Sequence, residues 1–279
     1  MQNLDAIGTE DFDRIRTMVR QQTGIVLEEN KRYLIESRLS TLVRKEGIES
    51  IDALLSQLRV GGSLCELHDK IVEAMTTNET SFFRDGHPFE ALRRFVIPEL
   101  MRLRAKEKRL RIWCAAASTG QEPYSLAMLL REQFATSLLG WNVQILATDF
   151  SPAVLDVARR GRFNAIEMSR GLTVPYQSKY FRQIDAAWEI HESIRAMIEF
   201  RSLNLIGTWP AMLPYDLILL RNVLIYFDLA TKQSVLRHAK TVLRSDGYLF
   251  LGGAETTLNI DAGYSRETVG DSVCYRPRG

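Results

Sequence analysis

The chain has 279 residues, of which 46% are hydrophobic and 25% charged, with a net charge of +2. Those values describe a globular protein of one elaborated domain or two. So small a charge gives no general affinity for nucleic acid, and no apolar run approaches the about 18 residues of a membrane span. Cys65, Cys114 and Cys274 make an odd, scattered set, and His68, His87, His191 and His238 show no metal-ligand spacing. A reducing cytoplasm, no disulfide and no metal are expected. The start, MQNLDAIGTEDF, is acidic and has no apolar signal core, which argues against secretion.

Residues 1 to about 85 read as helices only. Thr9 is positioned to cap a first helix with Phe12, Ile15, Met18 and Val19 on one face and Gly24 as its stop. A second helix, from Glu28 to Lys45, carries Ile35, Leu39, Leu42 and Val43 and stops at Gly47. Ser50 caps a third with Ile51, Leu54, Leu55 and Leu58, ended by Gly61-Gly62. A fourth runs from about Leu64 to Met75 through Leu67 and Ile71. Short connections make a small helical bundle. From Lys31 to Lys45 the second helix holds Lys31, Arg32, Arg38, Arg44 and Lys45 against Glu36 alone. Lys31, Arg38 and Lys45 recur every seven residues and share a face. Residues 1–90 hold 11 Lys and Arg against 16 Asp and Glu, a net of −5, so this is a basic face on an acidic domain. Taken alone, such a charge run is better explained by a solvated helix face than by a docking surface.

TTNETSFFRD, residues 76–85, breaks the helical pattern and gathers Asn78, Thr80, Ser81 and Arg84 beside two phenylalanines. Pro88 opens a helix with Phe89, Leu92 and Phe95, kinked or restarted at Pro98. Its basic tail, Arg102 to Arg111, lacks the aromatic interleaving of a nucleic-acid groove and reads as a solvated outer helix.

From Leu110 strands alternate with helices, the pattern of a doubly wound parallel sheet. LRIWCAAASTGQEPY, Leu110 to Tyr124, passes from a buried strand (Arg111–Ala116) through a turn at Ser118-Thr119-Gly120 into a helix. Pro123 suits its first position. A second strand spans 142–148 and ends at Asp149, with Asp149 or Ser151 capping the next helix. Residues 161–197 interrupt the rhythm as an inserted subdomain with short strands near its end. Ile198–Leu203 is the third strand, ending at Asn204. Tyr215–Leu220 is the fourth, ending at Arg221-Asn222. A helix from Thr231 to Leu243, a strand from Tyr248 to Leu251 and a hairpin from Tyr264 to Tyr275 close the fold.

Ligands of such sheets bind outside the carboxyl ends of the strands. Ser118 to Glu122, Asp149, Asn204 and Arg221-Asn222 stand there. Asp149 is placed to accept both hydroxyls of an adenosine ribose, a role compatible with helix capping. Glu122, in a first helical turn, suits a ligand with positive charge. The three glycines of a dinucleotide loop and the lysine of a P-loop are both missing. A cationic adenosine ligand is S-adenosylmethionine.

Five segments, TTNETSFFRD, ASTGQEPYSLAM, ILATDFSP, FRSLNL and LLRNVLIYFD, stand in the order and spacing of the CheR family of chemotaxis receptor methyltransferases. The chain resembles that family over nearly its whole length. The resemblance implies a class I, Rossmann-like α/β methyltransferase domain over residues 86–279, with the inserted β-subdomain at about 161–197. It implies an all-α domain over residues 1–85 before it. It also implies methyl transfer from S-adenosylmethionine to glutamate side chains in the cytoplasmic domains of chemoreceptors, leaving S-adenosylhomocysteine. The family's cofactor contacts fall on Asn78, Thr80, Arg84, Glu122, Asp149, Asn204, Leu205, Arg221 and Asn222. Its residues near the transferred methyl fall on Arg84 and Tyr226. Its receptor-facing positions fall on Lys31, Arg38, Arg44 and Lys45. Gln121 and Ala117 depart from the usual Glu and Cys.

One branch of the family binds a receptor-tail pentapeptide through a glycine-rich loop in the insert. Here no glycine occurs between Gly171 and Gly207, so a pentapeptide-independent, cytoplasmic, monomeric enzyme is expected. The competing expectations are a methyltransferase acting on nucleic acid or small molecules, and a cofactor-binding signalling module without turnover. No N-P-P-Y-type element for a flipped base occurs near Asn222, and both Arg84 and Tyr226 are present.

Overall fold

The structure is a computed structural model that describes residues 7–61 and 66–278. The chain divides into a helical unit, up to Thr77 together with Tyr226–Asp228, and a sheet unit formed by the rest. Asn78 to Asp85, on the helical side of the boundary expected from the sequence, belongs to the sheet unit.

The helical unit contains α1 (Thr9–Thr23), α2 (Arg32–Glu46), α3 (Ile51–Gly61) and α4 (Glu66–Ala74). Phe12, Ile15, Val19, Ile35, Leu39, Leu54 and Ile71 are buried. Gly8, not Thr9, is the N-cap of α1, and no side chain caps it. Glu29–Lys31 forms a 3-10 turn, so α2 begins later than the apolar spacing predicts. Gly24 and Gly47 stop α1 and α2 at φ 76° and 67°, conformations cheap only for glycine. Ser50 Oγ accepts the Ala53 N–H at 3.1 Å, as expected of a cap. The expected helix start at Leu64, and Cys65, lie outside the described residues. A short segment from far along the chain completes this unit. Ile25 bridges Phe227, Val26 N–H donates to Tyr226 O at 2.9 Å, and Arg20 pairs with Asp228 at 2.6 Å.

The sheet unit is built on β1 (Arg109–Ala115), β2 (Asn142–Asp149), β6 (Ile198–Ser202), β7 (Tyr215–Leu220), β8 (Leu243–Leu251), β9 (Tyr264–Val269) and β10 (Ser272–Pro277). Their spatial order is β6-β2-β1-β7-β8-β10-β9. The first five are parallel and the last two antiparallel. Ile112 stands opposite Ile145 on one side and Leu217 on the other, and Ile112–Ala115, buried on both faces of this central strand, read as an unbroken apolar run. The direction of winding reverses between β1 and β7, the point in such a sheet at whose carboxyl edge ligands bind. Among the described residues no helix is long and apolar enough to cross a membrane.

Ahead of the sheet, α5 (His87–Ala91) and α6 (Ile97–Leu103) are joined through a π turn, Leu92–Val96. Pro98, which cannot donate to the turn before it, accounts for the widened turn. The turn shifts the buried face to Phe89, Leu92 and Val96 and leaves Phe95, expected inside, 44% exposed. The basic tail is not simply solvated. Arg104 is buried and forks between Asp216 and Asp246, tying the chain to the amino ends of β7 and β8.

After β1 comes α7 (Gln121–Phe134), after β2 α8 (Pro152–Arg160), and after β7 α9 (Leu229–Val242). No helix follows β6. Residues 203–214 run irregularly past a groove of 450 Å³, with Trp209 edge-on to Trp113 at 5.0 Å. The insert carries a three-stranded sheet in the order β3-β5-β4, from Arg162–Asn164, Ala187–Ile190 and Phe181–Ile184. Ile184 pairs Ala187, so the β4–β5 loop is only Asp185-Ala186, with Asp185 at φ 55°. Glu189 of β5 accepts from Arg162 and Arg182 and pairs with Arg195 at 3.3 Å. Phe82 packs edge-on to Phe163 and Phe181 at 5.0 and 5.6 Å, fastening the insert to the TSFF segment.

Candidate cofactor site

The turn after β1 is built from alternating left-handed residues. Ala116, Ser118 and Gly120 have φ of 56°, 50° and 96°. Such conformations persist for side-chain-bearing residues only where the surroundings hold them. Ala117 N–H donates to Thr148 O, and Ser118 N–H donates to Asp149 Oδ2 at 2.8 Å. Ser118 Oγ donates to Asn78 O, also at 2.8 Å. A methyl group on Gly120 would stand 3.0 Å from the Tyr124 ring and 3.1 Å from Ala158 Cβ. Glycine is therefore required on two counts, φ and space. α7 starts at Gln121, so Pro123 is its third residue and not its first. Gln121 is buried and accepts from Thr119 Oγ1 at 2.7 Å.

Asp149 ends β2 with its carboxylate held from two sides. Oδ2 takes the Ser118 N–H and Oδ1 takes the Ser151 N–H at 3.1 Å. Ser151, not Asp149, caps α8, its Oγ accepting the Val154 N–H. Asp149 O also accepts the Leu203 N–H at 2.9 Å. That bond leads straight to Asn204, whose Oδ1 accepts the Ile206 N–H, and to buried Leu205.

Arg221, at the end of β7, is the electrostatic hub. It is 6% exposed, donates to Glu122 Oε2 at 2.9 Å and to Asp85 Oδ2 at 2.7 Å, and also donates to Arg84 O. Its Nε is buried and has no hydrogen-bond partner among the described residues. Burial pushes the Glu122 carboxyl above the ordinary carboxylate range, and the Arg221 guanidinium opposes that shift. Arg84 itself is half-buried and donates to Glu79 O at 3.0 Å. Thr80 is half-buried in the same segment.

Asn222, next to Arg221, is left-handed at φ 58°. The sequence reading misses what holds it there. Glu255 Oε2 accepts the N–H groups of Asn222 and Gly252 at 2.7 and 2.6 Å, and Oε1 accepts that of Ile225 at 3.2 Å. The signal available was Gly252-Gly253-Ala254-Glu255 directly after a buried strand, an acid standing where a chain must turn.

The sheet unit thus brings together Asn78, Arg84, Glu122, Asp149, Asn204, Leu205, Arg221 and Asn222 on linked segments at the carboxyl edge. Thr80 belongs to the sheet unit as well, and the remaining assigned residues stand on the helical unit. Tyr226 ends a 3-10 turn, and its carbonyl accepts from Val26. Arg44 and Lys45 are exposed and Lys31 is half-buried. Arg38 differs from them. Its guanidinium donates to Thr76 O at 2.9 Å, Ala74 O at 3.4 Å and Thr77 Oγ1 at 2.8 Å. It closes the carboxyl end of α4, a function its helical spacing does not reveal.

The winding of the sheet and the turn after β1 define a class I, Rossmann-like methyltransferase domain. Residues 78–268 match the family described as CheR methyltransferase, SAM binding domain, and residues 10–76 match its all-alpha domain. The chain belongs to the CheR methyltransferase family and is an S-adenosylmethionine-dependent methyltransferase. It is 40% identical over 273 residues to chemotaxis protein methyltransferase 1 of Pseudomonas aeruginosa, covering 96% of this chain and 98% of that protein. It is 37% identical over 278 residues to a chemotaxis protein methyltransferase of Pseudomonas putida, covering 97% and 99%. A third, from Vibrio parahaemolyticus, is 35% identical over 273 residues, covering 97% and 98%.

The donor set fits S-adenosylmethionine. Asp149 presents an oriented carboxylate at the end of β2. Glu122 supplies a buried negative charge, and Arg221 Nε is a buried donor awaiting an acceptor.

Proposed function

We propose that the protein methylates glutamate side chains in the cytoplasmic domains of chemoreceptors, releasing S-adenosylhomocysteine. The observation that carries this reading is the linkage of five segments at one sheet edge through the Asn78–Ser118–Asp149, Asp149–Leu203 and Asp85–Arg221–Glu122 contacts. Asn78, Thr80, Arg84, Glu122, Asp149, Asn204, Leu205, Arg221 and Asn222 hold the cofactor in this reading. Bound there, S-adenosylmethionine supplies a methyl group on a sulfonium.

The protein's own work is then small in chemical terms. A glutamate carboxylate has a reference pKa of about 4.3, so it arrives as an anion and no general base is required. Attack on a sulfonium neutralises both charges, so a dry, oriented site favours it. Asp149 fixes the ribose end, because its two backbone donors hold the carboxylate in one orientation. Glu122 is half of an ion pair with Arg221, which keeps a negative charge inside the site despite burial. A tight grip by Arg84 on the substrate carboxylate would stabilise the ground state more than the transition state. Arg84 therefore positions, and the Tyr226 hydroxyl orients the reacting groups.

Exposed Arg44 and Lys45, with Lys31, form the receptor-facing surface in this reading. Arg38 supports that surface from within by closing α4. The two-residue β4–β5 loop, with no glycine, supports a pentapeptide-independent enzyme; in this reading it works as a monomer in the cytoplasm. Incubation with labelled S-adenosylmethionine and receptor cytoplasmic fragments tests the reading. Base-labile methyl esters on receptor glutamates are expected. Label in nucleic acid or small molecules, with none in receptor, would overturn it.

A further inference from the structure

We propose that Glu255 is a positioning residue of the methyl-transfer site, acting through Asn222. The inference rests on the reading that Asn222 contacts the cofactor.

Glu255 is 9% exposed, and its carboxylate accepts three backbone N–H groups. Two of them, from Asn222 and Ile225, belong to the loop that leaves β7. The third, from Gly252, belongs to the end of β8. A single carboxylate thus ties the carboxyl ends of two neighbouring strands. Backbone donors buried without a partner are costly, and a charged acceptor binds them about twice as strongly as a neutral one. The direct consequence is the φ of 58° at Asn222. Asparagine visits this region more readily than most residues, but still at a cost that neighbouring bonds must offset. An extended Asn222 would redirect the chain after it and carry the Ile225 N–H away from Oε1, while the Asn222 N–H, which precedes the rotated bond, stays on Oε2. The carboxylate therefore selects the conformation from which the Asn222 side chain projects.

Gly252 provides a second, independent sign that this corner is shaped for Asn222. A methyl group there would stand 2.6 Å from Asn222 Nδ2, 2.7 Å from Glu255 Oε2 and 2.8 Å from Asn222 N. The glycine is needed for space alone, since its φ is not left-handed. Residue 252 and residue 255 together leave one place for the amide of Asn222.

The test is a double-mutant cycle on affinity for S-adenosylhomocysteine, using Glu255→Gln, Asn222→Ala and the pair. Glutamine is isosteric. Its single carbonyl oxygen can keep the Asn222 and Gly252 bonds, but its amide then faces the Ile225 N–H. Loss of a charged acceptor predicts affinity weakened about tenfold or more. In the Asn222→Ala background the same change should weaken it less than twofold, because the residue it positions is gone. Thermal melting of each variant separates lost affinity from lost folding, and a purely structural role would carry its full effect into both backgrounds. Gly252→Ala should reproduce the affinity loss with the carboxylate still present. If Glu255→Gln weakens binding equally with and without the Asn222 side chain, or not at all, the positioning role fails while the site stands. If Asn222→Ala alone leaves affinity unchanged, the cofactor assignment fails and takes the positioning role with it.

Discussion

Asp149→Ala separates two jobs that one carboxylate performs. In the proposed complex the side chain accepts two ribose hydroxyl bonds, and a hydrogen bond to a charged group contributes about 1.5–3 kcal/mol. Loss of both would reach about 3–6 kcal/mol, and water entering the vacated space brings the expected loss to the lower end. About 3 kcal/mol corresponds to an affinity for S-adenosylhomocysteine weakened roughly hundredfold. The same substitution also removes the acceptor for Ser118 N–H and Ser151 N–H. Both serines are buried, Ser151 completely, so stability should fall by about 1–3 kcal/mol, the range for an unsatisfied buried group. Asp149→Asn keeps one acceptor oxygen and should lie between the two in both readouts. Isothermal titration with S-adenosylhomocysteine reads the first quantity and urea denaturation the second. A folded Asp149→Ala protein with parental affinity would refute the ribose assignment, whatever its stability.

Tyr226→Phe should keep cofactor affinity and lose turnover, whereas Arg84→Ala should lose both; parental methylation by Tyr226→Phe would remove the tyrosine from catalysis. Arg44→Glu with Lys45→Glu should slow receptor methylation, leave cofactor binding intact and reduce the salt dependence of the rate; an unchanged rate and salt profile would make this face an ordinary solvated one. A receptor-tail pentapeptide titrated into the protein should show no low-micromolar binding, and receptor lacking its tail should be methylated at the full rate. In the insert, hydrogen bonds from Arg182 and Arg162 depress the Glu189 carboxyl to about 2. A depressed acid stabilises above its unfolded pKa, so this contribution should be complete at neutral pH and fade between about 4.3 and 2. Glu189→Gln should melt earlier than the parent at pH 7, with the gap closing towards pH 2; a gap independent of pH would assign the loss to packing.

The parts of the fold visible in the sequence are those written by burial. Ile112 to Ala115 and Tyr215 to Leu220 are covered on both faces, so composition alone marks them as central strands. The left-handed stops at Gly24 and Gly47 are equally plain. The errors fall where a distant partner decides. Arg104 belongs to a charge run in one dimension, and only the closure of the sheet brings Asp216 to it from 112 residues away. Arg38 shares a face with Lys31 and Lys45, but the end of α4 takes its hydrogen bonds. Phe95 fits a helical period that the π turn interrupts. Position along the chain marked Glu122, Asp149 and Arg221 as candidates at the edge. That Arg221 joins Glu122 to Asp85, and that Glu255 shapes Asn222, depends on turns no local pattern encodes.

The three residues Tyr226–Asp228 carry a consequence for protein engineering. They fold with α1 although about 150 residues of chain intervene between Thr77 and Tyr226. A fragment ending at Thr77 would leave Val26 N–H without its acceptor, Ile25 without its bridge and Arg20 without its counter-ion. The hereditary unit of the helical domain is thus discontinuous. A chimera that exchanges it between related enzymes should carry residues 226–228 along with the amino-terminal segment. Because Tyr226 travels in that clip, recombination at the obvious boundary would transplant the docking face of one enzyme and keep the tyrosine of the other.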